Sequence, residues 1–189
     1  MQEKRTQWRE NKALHNVDRL VFLDESGINI NMARRYGRSI GKARVIDNVP
    51  LNTPKTTTVL SSMRLNGKMA YTTYEGGTTG DRFVSYIKEI LLPTLTKGDI
   101  IVMDNMRSHH VKAVAEAIED AGINLLYLPP YSPDMNPSEM LWSKLKSILR
   151  KAAVRCKDKL HNAIDSALAC VSLSDCKNWF QADSYCPQF

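Results

Sequence analysis

A chain of 189 residues with 43% hydrophobic content is long enough for one domain with a buried core. No apolar run approaches the roughly 20 residues of a membrane span, and the polar N-terminal segment lacks the apolar centre of a secretory signal. A net charge of +6 with a pI near 9.2 is compatible with a nucleic-acid partner without requiring one.

Residues 1–18 are polar and charged, and read as an N-terminal arm or partial helix. The compact run Leu20-Val21-Phe22-Leu23 stops at Asp24, the pattern of a strand buried on both faces. Residues 26–39 are small and polar, then basic, and predict a second strand followed by a turn carrying Arg34, Arg35 and Arg38. The β-branched alternation over 56–65, the Asn66-Gly67 signal and the return over 68–74 predict a hairpin. Gly76-Gly77-Thr78-Thr79-Gly80 lacks the Gly-Lys-Ser/Thr ending of a phosphate-binding loop and reads as a connector.

Helical spacing over 81–92 puts Phe83, Tyr86, Ile87, Ile90 and Leu91 on one face, with Pro93 to kink or end it. A buried strand over 100–103 ends at Asp104, a helix covers 111–121 with Gly122 as its C-cap, and a strand covers 123–128. After the stiff Pro129-Pro130-Tyr131-Ser132-Pro133 turn, a long helix runs from Glu139 to about Arg155, and residues 159–171 form a last amphipathic helix. Hairpin strands followed by alternating helices and strands describe an α/β fold. Its mixed sheet is flanked by helices, and functional groups gather at the carboxyl ends of its parallel strands. Cys156, Cys170, Cys176 and Cys186 form no C-x-x-C pair, which favours reduced thiols in a cytosolic protein over a zinc site.

Three acids stand out. Asp24 and Asp104 each follow a buried strand, and 34 residues separate Asp104 from Glu139. Carboxylates gathered from separate elements can hold Mg²⁺, with Mn²⁺ as substitute, and paired ions catalyse in-line phosphoryl displacement. Each acid also has an ordinary reading: Asp24 and Asp104 as turn residues, and Glu139 at N3 of a capping box behind Asn136 and Pro137. Asn105 and His109 either support Asp104 and its phosphate or simply open a helix. Lys144, Lys146, Arg150 and Lys151 are either a solvated helix face or a phosphate track beside Glu139. Arg34, Arg35 and Arg38 either grip phosphates near Asp24 or form an ordinary charged turn. Trp142 reads as core rather than as a base-stacking platform.

The segment Val21-Phe22-Leu23-Asp24-Glu25-Ser26-Gly27 resembles the first block of the DDE transposases of bacterial insertion sequences in the mariner superfamily. Val102-Met103-Asp104-Asn105 with His109 resembles their second block, and the stretch from Leu128-Pro129-Pro130-Tyr131 to Asn136-Pro137-Ser138-Glu139 resembles the third and most specific. The resemblance implies an RNase H-like domain over 19–180, with 181–189 as a tail, and Asp24, Asp104 and Glu139 as a catalytic, metal-binding triad. It implies cleavage of element ends, transfer of 3′-hydroxyl strands to a TA-containing target, and a homodimer. Only about eighteen residues precede the first strand, so a helix-turn-helix on a separate chain is a further expected partner. Such a protein would work in the cytoplasm at the nucleoid. The alternative is an inactive truncated transposase fragment that binds DNA or forms mixed dimers.

Overall fold

The computed structural model describes residues 2–12, 14–34, 36–41, 43–51, 55–105 and 112–186. Its strands are β1 (Leu20–Ile28), β2 (Thr57–Arg64), β3 (Met69–Glu75), β4 (Ile100–Met103) and β5 (Asn124–Tyr127). They form one sheet in the order β3-β2-β1-β4-β5. β1, β2 and β3 pair antiparallel, while β1, β4 and β5 run parallel. The β2–β3 turn closes through Gly67, whose φ of 80° suits glycine and whose N–H donates to the Arg64 carbonyl at 3.0 Å.

Strand alternation divides the core into two layers. Leu20, Phe22, Ile100 and Val102 face α4 (Ser138–Ala152), α5 (Leu160–Ala169) and α6 (Leu173–Ala182). Val21, Leu23, Ile101 and Met103 face α2 (Gly80–Ser85) and α3 (Lys112–Asp120). The polar α1 (Gln2–Lys12) has no fully buried residue and packs its half-buried Trp8 against the first layer. Beyond Ser85 the expected helix over 81–92 continues as a π-turn over Tyr86–Leu91 and a 3-10 turn over Leu92–Thr94. Phe83, Tyr86, Ile87 and Leu91 are buried as the spacing requires, with Ile90 half-buried. Gly122, at φ 68°, ends α3 and turns the chain into β5.

Three sequence expectations are corrected. No second strand lies among the described residues of 26–39. Instead β1 runs on through Ser26 and Gly27 to Ile28, because β2 supplies hydrogen-bonding partners along that length. The long helix ends at Ala152 rather than near Arg155, with Ala153 in the left-handed region at φ 49°. The last predicted helix, now α5, is followed by α6, which opens on a reciprocal capping box between Ser172 and Asp175.

At the end of the sheet away from Asp24 and Asp104, the start of β4 is fixed by Asp99, 1% exposed. Its carboxylate accepts from Arg64 at 2.5 Å and from the Thr96 N–H at 2.8 Å. Burial pushes this carboxyl up, but Arg64 and Thr96 outweigh burial and hold it at about 2. β4 therefore presents its far end, and Asp104, from an anchored base.

Candidate active site

Leu23 pairs with Met103 in the parallel ladder, so Asp24 and Asp104 are the next residues of two adjacent strands. The expectation that Asp24 ends its strand is corrected. β4 stops at Met103, but β1 continues against β2, with Asp24 opposite Ser61. Asp24 thus sits inside a strand, at the point where one of its two neighbouring ladders ends.

Its side chain is 7% exposed and fully engaged. Oδ2 accepts from Asn136 Nδ2 at 2.8 Å and from Trp142 Nε1 at 3.0 Å, while Oδ1 accepts from the Glu25 N–H at 2.7 Å. Burial pushes the carboxyl up to about 7. The Glu25 N–H and the Trp142 indole oppose the shift, and the charges of Asp104 and Glu139 reinforce it.

Glu139 comes from the helix layer that Asp24 faces, in the first turn of α4. The predicted capping box is not formed. Pro137 precedes the helix with no side-chain cap, and only one half of the box, the Asn136 side chain, is in place. Its Oδ1 accepts from the Ser138 N–H at 3.2 Å while its Nδ2 reaches Asp24. Glu139 is consequently exposed rather than folded back on the backbone.

Asp24, Asp104, Asn105 and Glu139 line one cavity of about 370 Å³, walled by the turn over 128–133. Tyr131 stands at its wall, 86% exposed and in the left-handed region at φ 55°, a conformation that costs a bulky residue energy. Among the described residues, no three acidic, histidine or cysteine side chains already stand close enough to hold a metal ion. The acids share the cavity without closing on a common point.

The other predicted positions divide. His109 and Arg35 lie outside the described residues. Arg34 and Arg150, distant in sequence, line a second cavity of about 540 Å³ with Asn29 and Asn31. Lys144 is held by Asp175 of α6. Arg38 and Lys151 are exposed, and Lys146 is half-buried. Asn136 and Trp142 were not assigned to the site from sequence, because one reads as a helix cap and the other as core. Arg155 was likewise missed as a fastener: it donates to the Ile30 and Met32 carbonyls at 3.1 and 3.0 Å, pinning the segment that carries Arg34.

Residues 19–161 match the DDE superfamily endonuclease family. The chain belongs to that family. The fold of this DDE endonuclease is similar to Mos1 transposase in a paired-end complex with left transposon end, at 19% identity and a TM-score of 0.77 over 95% of this chain and 56% of that one. It is similar to the catalytic domain of Mos1 mariner transposase at 17% identity and a TM-score of 0.67, over 95% of this chain and 84% of that one. It also resembles a mariner Mos1 paired-end complex with Mg, at 16% identity and a TM-score of 0.74, over 95% and 57% of the two chains. At such identities the likeness is one of fold: a mixed five-stranded sheet with helices on both faces, the RNase H-like arrangement. The DDE endonuclease spans little more than half the transposase chain in the two complexes. No curated protein matches it. Among the described residues, no helix is long and apolar enough to cross a membrane.

Proposed function

We propose that this DDE endonuclease is the catalytic domain of a mariner-superfamily transposase. It cuts phosphodiesters at element ends and transfers the freed 3′-hydroxyl to target DNA. The observation that carries this reading is the convergence of Asp24, Asp104 and Glu139, from two strands and a helix, on one cavity. A divalent ion fits these residues, because a carboxyl raised chiefly by burial, and further by two like charges, is relieved by a cation. Asp24, Asp104 and Glu139 would hold Mg²⁺ or Mn²⁺, which when bound stabilises charge on the phosphoryl group and lowers the pKa of the attacking oxygen. Asn136 and Trp142 fix the plane of the Asp24 carboxylate at the cavity wall. Mos1 structures contain Mn or Mg and transposon-end DNA, which supports the same reading here.

The decisive assay is nicking of supercoiled DNA with Mn²⁺. Asp104→Asn, nearly isosteric, is expected to lower nicking by at least about a hundredfold while leaving the melting temperature close to that of the parent. Equal nicking by both proteins would remove support for the enzymatic reading and favour an inactive fragment that only binds DNA.

The DNA path proposed here runs from the acidic cavity along α4 to the cleft that Arg34 and Arg150 share. Phosphate contacts there hold the backbone without reading bases. The domain alone is expected to bind DNA weakly, with affinity falling steeply as salt rises. Arg150→Gln should lower the slope of log affinity against log salt by about 1, as fluorescence anisotropy over a salt series would show; an unchanged slope removes Arg150 from the path. A TA-containing target, a homodimer, a partner chain carrying a helix-turn-helix, and a cytoplasmic site at the nucleoid belong to the same proposal.

A further inference from the structure

The turn that delivers Glu139 is pinned from outside the part of the chain that matches the family, which covers residues 19–161. On α1, Arg5 forks onto Asp134, with Nη1 donating at 3.0 Å and Nη2 at 2.6 Å, and Nη1 also donates to Ser132 Oγ at 2.8 Å. One turn on, Trp8 Nε1 donates to the Tyr185 hydroxyl at 3.1 Å, and that hydroxyl donates to the Met135 carbonyl at 2.7 Å. A turn further, Lys12 Nζ donates to the Asp183 carbonyl at 2.9 Å and lies 4.8 Å from the centre of the Tyr185 ring. Arg5, Trp8 and Lys12 recur at i, i+3 and i+7, one face of the helix.

Ser132, Asp134 and Met135 are thereby held from outside, and Asn136 is held by Asp24 from inside. These are four of the five residues over 132–136, and Glu139 follows within one helical turn. α1 has no fully buried residue; apart from Trp8, which packs half-buried against the core, its seat is made of polar contacts. The Arg5–Asp134 pair is partly exposed, at 22% and 55%, and pairs of that exposure add little to global stability. The contacts are directed instead at the segment whose conformation aims Glu139.

We infer that α1 and the C-terminal turn form a brace for the Glu139 loop, with Arg5 as a positioning residue. This inference rests on the proposed role of Glu139 for its effect on nicking, but not for its effect on the loop. Positioning matters because a displacement of about 1 Å at a reacting centre can cost on the order of a hundredfold in rate.

The test uses the full chain with Arg5→Gln, Asp134→Asn, the double variant, and the swap of Arg5→Asp with Asp134→Arg. The first readout is hydrogen exchange at the 134–140 amides in metal-free protein. Arg5→Gln is expected to speed exchange there at least fivefold while the melting temperature moves by no more than about 2 °C, as for a surface substitution. The second readout is nicking against Mn²⁺ concentration. Arg5→Gln should lower the maximal rate at least tenfold and raise the half-saturating Mn²⁺ concentration, the double variant should match the single ones, and the swap should recover most of both. Unchanged exchange in the loop overturns the brace. So does a melting temperature that falls in step with activity, which would make α1 merely structural. Faster loop exchange in Arg5→Gln, beside a parent that nicks no DNA, would leave the brace standing and count against the proposed reaction instead.

Discussion

Phe180→Ala is expected to cost the domain about 3–5 kcal/mol, by the usual scale for emptying a buried phenylalanine site. The ring is fully buried and meets Phe22 of β1 edge-on, with centroids 5.3 Å apart and planes at 88°. Tyr185 closes the cluster at 4.9 Å from Phe22 and 6.1 Å from Phe180. Edge-to-face pairs of this kind add about 0.5–1.5 kcal/mol beyond area burial. The hole would open directly beneath β1, two residues from Asp24, and a cavity walled by strand backbone collapses poorly. Urea unfolding should show the midpoint falling with the slope unchanged, and the melting temperature should fall by about 10 °C. Leu173→Ala, on the same helix but 49% exposed, should cost less than about 1 kcal/mol and serves as the control. A Phe180→Ala loss no larger than the control would mean that α6 is not part of the cooperative unit.

Metal-free protein should lose stability as pH rises from about 4 to about 7. The Asp24 carboxyl titrates near 7 in the folded chain, against an ordinary value of 3.8. A group raised in the folded state keeps its proton there while the unfolded chain releases it. Folding is therefore most favoured below the unfolded value, and the advantage disappears as pH climbs through the folded value. The full span corresponds to about 4 kcal/mol. Asp183, raised to about 7 by burial and by the nearby Asp134, shares the window, so the slope must be apportioned with variants. Asp99 and Asp175, each held at about 2, act in the opposite sense; their stabilisation is lost only as pH falls below about 4 towards 2.

Unfolding in chelator at pH 5, 6, 7 and 8 should therefore show a decline that Asp24→Asn flattens in part, leaving the Asp183 contribution. Adding Mg²⁺ should restore stability to the parent above pH 7 and do little for the variant. A parent whose stability is flat or rising between pH 5 and 7, with chelator present, would contradict the assignment of a strained carboxyl at Asp24.

Much of this arrangement is legible in the residue pattern, and the exceptions share a cause. The parallel strands, the Asn66-Gly67 hairpin and the Gly122 stop follow from local rules about burial and backbone freedom. Continuation of β1 through Ser26 and Gly27 does not. A strand of such residues is stabilised by the ladder beside it, from Ser26–Val59 to Ile28–Thr57, and by burial of Ser26. Local grammar also places Asn136 as a helix cap, and its Oδ1 does accept from the Ser138 N–H; what that grammar lacks is the bond from its amide nitrogen to Asp24, a partner 112 residues away. α6 carried a readable signal in Ser172 and Asp175, three residues apart, but its short apolar stripe is hard to distinguish from a tail. The π-turn over Tyr86–Leu91 has no sequence signature at all. For the site, spacing and motif order single out Asp24, Asp104 and Glu139; the groups that set the electrostatics of Asp24 come from contacts no local pattern contains.

The two-layer alternation of β1 has a genetic consequence. Phe22 and Asp24 look towards α4, while Val21 and Leu23 look towards α2 and α3. Loss or gain of a single codon between Leu20 and Asp24 would send the acid into the wrong layer and a large apolar side chain into the cavity. Point changes there can be graded, but one-codon indels cannot, and that stretch of the gene should tolerate none.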